Sequence, residues 1–309
     1  MKDQVDVLLA TYQGEAYIKE QVESILNQTY PSIHIWIRDD ASKDSTPTIL
    51  NQLASSYPTQ ITLIPSTGNL GVRGNFSELM SASKAPYIMF SDQDDVWLPH
   101  KVESSLACMK QMEIQYRTDI PLLVHTDLQV VHSDLKQISP SFWNFTRLNP
   151  KITALNRLLT QNNVTGCTML FNQSLLQMSQ PIPDQAIMHD WWIALVASAF
   201  GYIDHIPSAT LLYRQHTSND VGAKKYGLAS YMKEQFFSDK RKHPTRTHVQ
   251  AQLFLDRFDK QLRSQEKMIV EAYCSLTRLP YVQRKVAMMK HGFLKSGFLR
   301  NLHHLFLTN

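Results

Sequence analysis

The sequence predicts an α/β protein built on a largely parallel sheet, and three observations predict it. Short apolar or β-branched runs recur at residues 5–10, 33–37, 61–64 and 87–90. Segments with the 3.6-residue spacing of helices separate them. Polar residues able to do chemistry then follow three of these runs directly: Thr11-Tyr12, Asp39-Asp40 and Asp92-Gln93-Asp94-Asp95. Repeated strand–helix–strand units close into a parallel sheet with helices on both faces. Such sheets take their ligands beyond the carboxyl ends of the strands.

Each element has a local reason. Residues 5–10 form an apolar run ending at Thr11, a buried strand. Residues 15–28 carry Ile18, Val22, Ile25 and Leu26 at helical spacing. Residues 33–37 are β-branched and aromatic, a second strand. Asp44 is placed to cap the next helix, with Pro47 in its first turn. Strands at 61–64 and 87–90 flank a helix over 75–83. Beyond them the sequence predicts strands at 122–131 and 164–171, an apolar helix at 189–200 and one or two strands within 202–214. From about Gly222 the chain turns helical and richer in Lys and Arg. The expected organisation is therefore a catalytic domain over 1–220 and a helical, basic region over 221–309.

Bulk composition narrows the class. The 309 residues suffice for one large domain or two modest ones. With 43% hydrophobic and 19% charged residues the chain reads as globular. A formal net charge of +4 is too mild to indicate a nucleic-acid partner. Cys108, Cys167 and Cys274 are far apart and form no CxxC pair, which disfavours zinc and fits a reducing compartment. With charges within the first six residues, no signal peptide is expected there. The longest apolar run, 191–203, is shorter than the roughly 20 residues a bilayer span requires. A cytoplasmic protein, free or resting on a membrane surface, is expected.

The acidic turn Asp92-Gln93-Asp94-Asp95 carries the strongest chemical signal. Three carboxylates in four positions repel one another and persist more comfortably around a cation. Oxygen ligation suits Mg²⁺ or Mn²⁺, and such an ion would neutralise a diphosphate leaving group. Read alone, the turn also fits a solvated cap for a helix starting at Leu98. Asp39 and Asp40 could accept hydrogen bonds from a base or a ribose hydroxyl; a loop with a helix cap is the plainer reading. Thr11 and Tyr12 offer a ring to pack on a base. Asp190, within Met188-His189-Asp190-Trp191-Trp192, has aromatic neighbours that would raise its proton affinity, as a general base needs. It equally suits a helix N-terminus. In Tyr213-Arg214-Gln215-His216 the imidazole can ligate an ion and the guanidinium can hold phosphate, although a lone His is more often structural. The loop Asn69-Leu70-Gly71-Val72-Arg73-Gly74-Asn75 allows close backbone approach to a ligand and is not a Walker loop.

In order, ATYQG, RDDASKDST, NLGVRGNF, FSDQDDVW, HDWW and YRQH resemble the family 2 glycosyltransferases of GT-A fold over about residues 4–220. The DQDDVW and YRQH wording looks most like bacterial polysaccharide rhamnosyltransferases. The resemblance implies a Rossmann-like, mostly parallel mixed sheet flanked by helices, with a helical C-terminal extension. It implies inverting transfer of a sugar, L-rhamnose from dTDP-L-rhamnose in first place and a UDP-sugar as the alternative, to a lipid-linked saccharide. Thr11, Tyr12, Asp39, Asp40, Asn69, Arg73, Asn75, Asp92 and Arg214 would bind the donor. Asp92, Asp94 and His216 would hold Mg²⁺ or Mn²⁺. Asp190 would be the catalytic base. Asp95, Trp97, Gly166, Cys167, His189 and Trp191 would face the acceptor. His189 stands where many members carry Glu.

From Tyr281 onward the chain has Arg284, Lys285, Lys290, Lys295 and Arg300 but no acidic residue, interleaved with apolar residues. This basic amphipathic pattern suits an anionic membrane surface at the inner face of the cell membrane; packing on the catalytic domain or on a second copy is the alternative. Lys240, Arg241, Lys242 and Arg246 read as a solvated face. A nucleotidyltransferase would carry a Gly-rich basic loop where Thr11-Tyr12-Gln13-Gly14 stands, and a dinucleotide oxidoreductase would carry GxGxxG. A non-catalytic carbohydrate-binding protein would have no use for the crowded carboxylates.

Overall fold

The computed structural model describes residues 3–216 and 242–306. Nine strands form one sheet in the order β3-β2-β1-β4-β8-β6-β9-β5, with β7 paired to β6. They are β1 (Val5–Thr11), β2 (Ile33–Asp39), β3 (Ile61–Leu63), β4 (Tyr87–Ser91), β5 (Val96–Trp97), β6 (Leu122–His132), β7 (Gln137–Ser139), β8 (Leu170–Asn172) and β9 (Tyr202–Gln215). β1, β2, β3 and β4 run parallel, as does β9 on β6. β8 is antiparallel to both β4 and β6, and β5 is antiparallel to β9. The sheet is therefore mixed, with its parallel half built from the N-terminal strand–helix units.

The helices are α1 (Ile18–Leu26), α2 (Thr46–Ser56), α3 (Gly71–Ala82), α4 (Lys101–Tyr116), α5 (Phe142–Thr146), α6 (Leu155–Leu158), α7 (Gln173–Ser179) and α8 (His189–Phe200). Beyond them lie α9 (Lys242–Phe258), α10 (Ser264–Ser275), α11 (Tyr281–Lys290) and α12 (Phe298–Phe306). Strand alternation sorts the apolar residues into two cores. Val5, Val7 and Leu9 of β1 pack with Ile18, Val22 and Ile25 of α1 on one face. Leu8, Ile88 and Phe90 pack with Phe76 of α3 and with residues 191–197 and Ala199 of α8 on the other. Nine of the twelve α8 residues are buried, so its all-round apolar surface marks a central core helix. Among the described residues no helix is long and apolar enough to cross a membrane.

Phe254 and Phe258 of α9 and Val270 and Tyr273 of α10 belong to that second core. Phe254 and Phe258 pack on Trp192 of α8. The helices of the C-terminal region thus share one core with the strands and helices before residue 216. Of the basic segment, Lys240 and Arg241 lie outside the described residues, as does the stretch just after Gly222.

Two local expectations are corrected. Residues 164–171 do not form one strand: Gly166–Thr168 is a 3₁₀ turn and only Leu170–Asn172 pairs in the sheet. No helix starts at Leu98. Val96 and Trp97 instead pair with Leu212 and Leu211, and α4 begins at Lys101. The acidic turn is thus bracketed by two strands and held at both ends by sheet hydrogen bonds.

Gly201, between α8 and β9, has no room for a side chain. A Cβ there would lie 1.7 Å from the carbonyl oxygen of Pro121. Gly201→Ala must push the start of β9 off its neighbour, and overpacking of this kind costs about 3 kcal/mol. The urea midpoint of the variant is expected to fall accordingly, and an unchanged midpoint would contradict the packing.

Candidate active site

The carboxyl ends of β1, β2 and β4, the start of α3, the 3₁₀ turn and the start of α8 surround a cleft of about 1050 Å³. Asp92, Asp94 and Asp190 all line it, together with Tyr12, Asn69 and Gly166. Residues separated by nearly a hundred positions therefore share one space, as strand ends of an α/β sheet should.

The acidic turn is held by β9. The Arg214 Nε–H donates to the Asp94 carbonyl at 2.8 Å and the Arg214 backbone N–H donates to Asp95 Oδ1 at 3.3 Å. The guanidinium also pairs with Glu20 and lies over the Tyr17 ring. Arg214 is 3% exposed, so its charge serves this turn rather than a phosphate in the cleft. His216 Nε2 stands 2.8 Å from Asp94 Oδ2 and its ring stacks on Tyr17. From within the turn, Gln93 Oε1 accepts from the Thr11 hydroxyl at 2.6 Å and from the Tyr12 N–H at 2.8 Å. That contact ties β4 to β1 and leaves no space at Gly14, where a Cβ would lie 2.5 Å from Gln93 Oε1. Gln93 escaped the sequence reading because a neutral amide between carboxylates carries no chemical signal of its own.

Asp95 is fully buried beneath the turn. Burial, then the charges of Asp94 and Asp92, push its proton affinity well above the usual carboxylate range. Cys167 is buried next to it, and its thiol is likewise pushed up by burial and by the Asp95 and Asp92 charges. Trp97 is 3% exposed inside the α1–α4 core, under the Lys101 ammonium. Asp95, Trp97 and Cys167 therefore support the floor and do not line the cleft, whereas Gly166, His189 and Trp191 do. The acceptor role read for the first three fails because their side chains point into the floor.

The donor side shows a similar division. The Asp40 carboxylate accepts from Arg38 Nη1, the Leu70 N–H and the Gly71 N–H, each within 2.8 Å. Asn75 accepts from Arg38 and donates to the Arg38 carbonyl. Asp40 and Asn75 touch the cleft, yet these bonds make them the frame of the 69–71 loop. Both Asp39 oxygens accept from Ser42, and Asp39 sits at the end of β2 in register with Thr11, just outside the cleft lining. Arg73 turns away from the cleft to donate to the Asp184 and Ala186 carbonyls. Arg246, read as surface, reaches the cleft lip from α9.

Asp190 opens α8. Its Oδ2 accepts the Gly166 N–H at 3.1 Å and its Oδ1 accepts the Trp191 N–H at 2.6 Å. These bonds favour the carboxylate, but burial outweighs them and raises its pKa to about 6. A carboxylate poised there can take a proton near neutral pH.

Two groups of side chains suggest themselves for a cation. Asp94 with His216 offers oxygen and nitrogen donors, which fit Mg²⁺ or Mn²⁺. Asp92, Asp95 and Cys167 have candidate donor atoms within 4.8 Å of one another. Their thiol, kept protonated by burial, is a poor partner for a hard ion. The Asp94–His216 pair is the better fit.

Comparison with solved structures defines the class. The chain matches the Staphylococcus aureus TarS 1–349 structure in complex with UDP-GlcNAc at TM-score 0.56 and 14% identity, over 92% of this chain and 83% of that one. It matches the Pyrobaculum calidifontis mannosyltransferase PcManGT in complex with GDP-Man and Mn²⁺ at TM-score 0.52 and 15% identity, over 94% and 74%. The fold is that of the GT-A glycosyltransferases. The family model "Glycosyl transferase family 2" matches residues 6–177, and the chain belongs to that family. It is 30% identical over 231 residues to the dTDP-rhamnosyl transferase RfbG of Shigella flexneri, covering 72% of this chain and 76% of that protein. It is also 24% identical to an uncharacterised Mycobacterium bovis protein, of which it spans 59%. The chain is a glycosyltransferase with rhamnosyltransferase-like sequence.

Because Asp190 must be ionised to accept a proton, transfer should fall as pH drops through about 6, with a slope of one proton. Asp190→Asn should lower kcat about 10²–10⁴-fold while leaving donor affinity unchanged. A flat profile between pH 5 and 7.5, or a variant of near-normal rate, would remove Asp190 from the role.

Proposed function

We propose that the protein transfers L-rhamnose from dTDP-L-rhamnose, with inversion, to a hydroxyl of a lipid-linked saccharide in bacterial surface-polysaccharide synthesis. The observation that carries this reading is the pairing across one cleft of the Asp92–Asp94 turn with a carboxylate of raised proton affinity, Asp190. The rhamnose donor is supported by the similarity to the dTDP-rhamnosyl transferase; a UDP-sugar donor is the alternative. Tyr12 lies 47% exposed at the mouth, where its ring can cover a base.

Asp190 accepts the proton of the acceptor hydroxyl while that oxygen attacks the anomeric carbon from the face opposite the diphosphate. No covalent enzyme intermediate is involved, so inversion follows. Gly166 and Trp191 N–H groups hold the carboxylate in place. Arg214 and Gln93 keep the acidic turn aimed at the diphosphate side. A divalent ion, when bound by Asp94 and His216, would supply the positive charge that stabilises the departing diphosphate.

The C-terminal helices offer a way to meet a lipid-linked acceptor. Val282, Val286 and Met289 of α11 are 70%, 53% and 54% exposed, and Phe298 of α12 is 79% exposed. Met288 packs inward. The segment carries Arg284, Lys290, Lys295 and Arg300 and no acid. An exposed apolar row flanked only by positive charge complements an anionic bilayer, and we assign it as a peripheral membrane contact.

Assaying nucleoside diphosphate release across dTDP-rhamnose and UDP-sugar donors tests the transfer reading. Release with dTDP-rhamnose and a lipid-linked acceptor is expected, and no release with any donor would overturn it. Asp94→Ala should abolish the metal dependence of donor binding together with turnover; metal-stimulated donor binding that survived in this variant would refute the cation assignment. The double variant Val282→Asp/Val286→Asp should lose co-sedimentation with phosphatidylglycerol vesicles. Retained co-sedimentation would dismiss the membrane contact.

A further inference from the structure

Arg246 stands in the second turn of α9 and is exposed at the cleft lip. Among the described residues that line the cleft it is the one Lys or Arg, while Asp40, Asp92, Asp94 and Asp190 all bring carboxylates. The other arginines near the cleft are committed to the fold. Arg38 holds Asp40 and Asn75, Arg73 holds the Asp184 and Ala186 carbonyls, and Arg214 holds the acidic turn and Glu20. Arg246 makes no hydrogen bond or ion pair with any described residue.

The helix that carries it is pinned along its length. One turn on along the same face, Gln250 Oε1 accepts the Ile187 N–H at 2.8 Å. Ile187 precedes Asp190 by less than one helical turn of sequence and lines the same cleft. The Thr247 hydroxyl accepts from the Tyr273 hydroxyl at 3.0 Å, and His248 stacks on that ring. At the far end of α9, Arg257 donates to the Met178 and Gln180 carbonyls. The guanidinium is therefore presented to the cleft from a helix tied to the segment that leads into α8.

Charge selects the ligand. A cleft bearing four carboxylates repels anions, yet a sugar nucleotide and a lipid diphosphate are both anionic. A fixed positive charge at the lip offsets that repulsion. A guanidinium also binds phosphate through paired N–H···O bonds, a geometry an ammonium cannot supply.

We infer that Arg246 binds a substrate phosphate at the lip of the cleft, which makes the C-terminal helical region part of the binding site. This rests on the glycosyltransferase assignment and deepens it. Arg246 lies outside residues 6–177, the segment matched by the family model. The phosphate belongs either to the diphosphate of the donor or to the diphosphate that joins lipid and saccharide in the acceptor.

Binding by the full-length protein tests the inference separately from transfer. Affinities are measured by calorimetry on wild type, Arg246→Ala and Arg246→Lys. The probes are pairs that differ in their phosphates: thymidine diphosphate with thymidine, uridine diphosphate with uridine, and a short-chain lipid diphosphate-linked saccharide with the matching alkyl glycoside. Because Arg246 is exposed, both variants should keep the wild-type thermal midpoint. Arg246→Ala should bind a phosphate-bearing probe about tenfold less tightly and bind its phosphate-free counterpart as wild type does. Loss on a nucleoside diphosphate assigns the contact to the donor, and loss on the lipid diphosphate assigns it to the acceptor. Arg246→Lys should recover part of the loss, since it keeps the charge without the fork. Undiminished affinity of Arg246→Ala for every phosphate-bearing probe, or an equal loss on the phosphate-free counterparts, would overturn the inference. An enzyme whose phosphate binding depends on Arg246 but which transfers no sugar would refute the transfer reading and leave Arg246 standing. A wild type with no affinity for any phosphate-bearing probe would refute both.

Discussion

The organisation of this protein depends on keeping three carboxylates of one short turn together at a strand end. Asp92, Asp94 and Asp95 repel each other, and the fold answers with contacts from the last strand rather than from the turn's own neighbours. Arg214 donates to the turn through both backbone and side chain, and His216 engages Asp94 directly. Arg214 is in turn braced by Glu20 and Tyr17 of the first helical segment. The segment around Tyr17 and Glu20, the acidic turn and the end of β9 are thereby locked into one unit.

That arrangement explains the mixed sheet. A purely parallel sheet would leave the acidic turn leading into a crossover helix. Here β5 folds back at once to pair with β9, so the turn is clamped at both ends. The insertion of β8, antiparallel between β4 and β6, brings the 3₁₀ turn and Gly166 beside the start of α8. Gly166 can then donate to Asp190, which orients the candidate base toward the cleft. Binding surface and base are held by rigid strand ends and a buried helix, as a site requiring sub-ångström placement needs.

Much of the site is scaffold rather than contact. Asp40, Asn75, Arg38 and Arg214 are charged or polar residues with little exposure whose bonds go to backbone and to each other. They shape the loops over which a nucleotide would lie. Asp190 is treated differently: burial outweighs the hydrogen bonds it accepts, so it stays basic near neutrality. Carboxylates of one cleft are thus driven to different tasks by their surroundings.

The sequence alone determined the element order and the positions where chemistry gathers. Apolar alternation at Val5–Thr11 and Tyr87–Ser91, and helical spacing through Ile18, Val22 and Ile25, are local patterns that burial on a sheet enforces. The placement of Asp92 and Asp94 by the cleft followed from the rule that strand ends carry ligands, and Asp190 stood out by its aromatic neighbours at a helix start. Only the tertiary structure decided which polar residues face that cleft. Trp97, Cys167 and Arg214 belong to segments with chemical wording, yet they point into the floor. Gln93, a neutral amide among carboxylates, and Arg246, in a basic stretch read as surface, reach the β1 loop and the cleft lip. The reason is physical: a side chain's task is set by partners 82 to 194 positions away, such as Gln93 with Thr11 or Arg214 with Glu20. No local period in the sequence records those meetings.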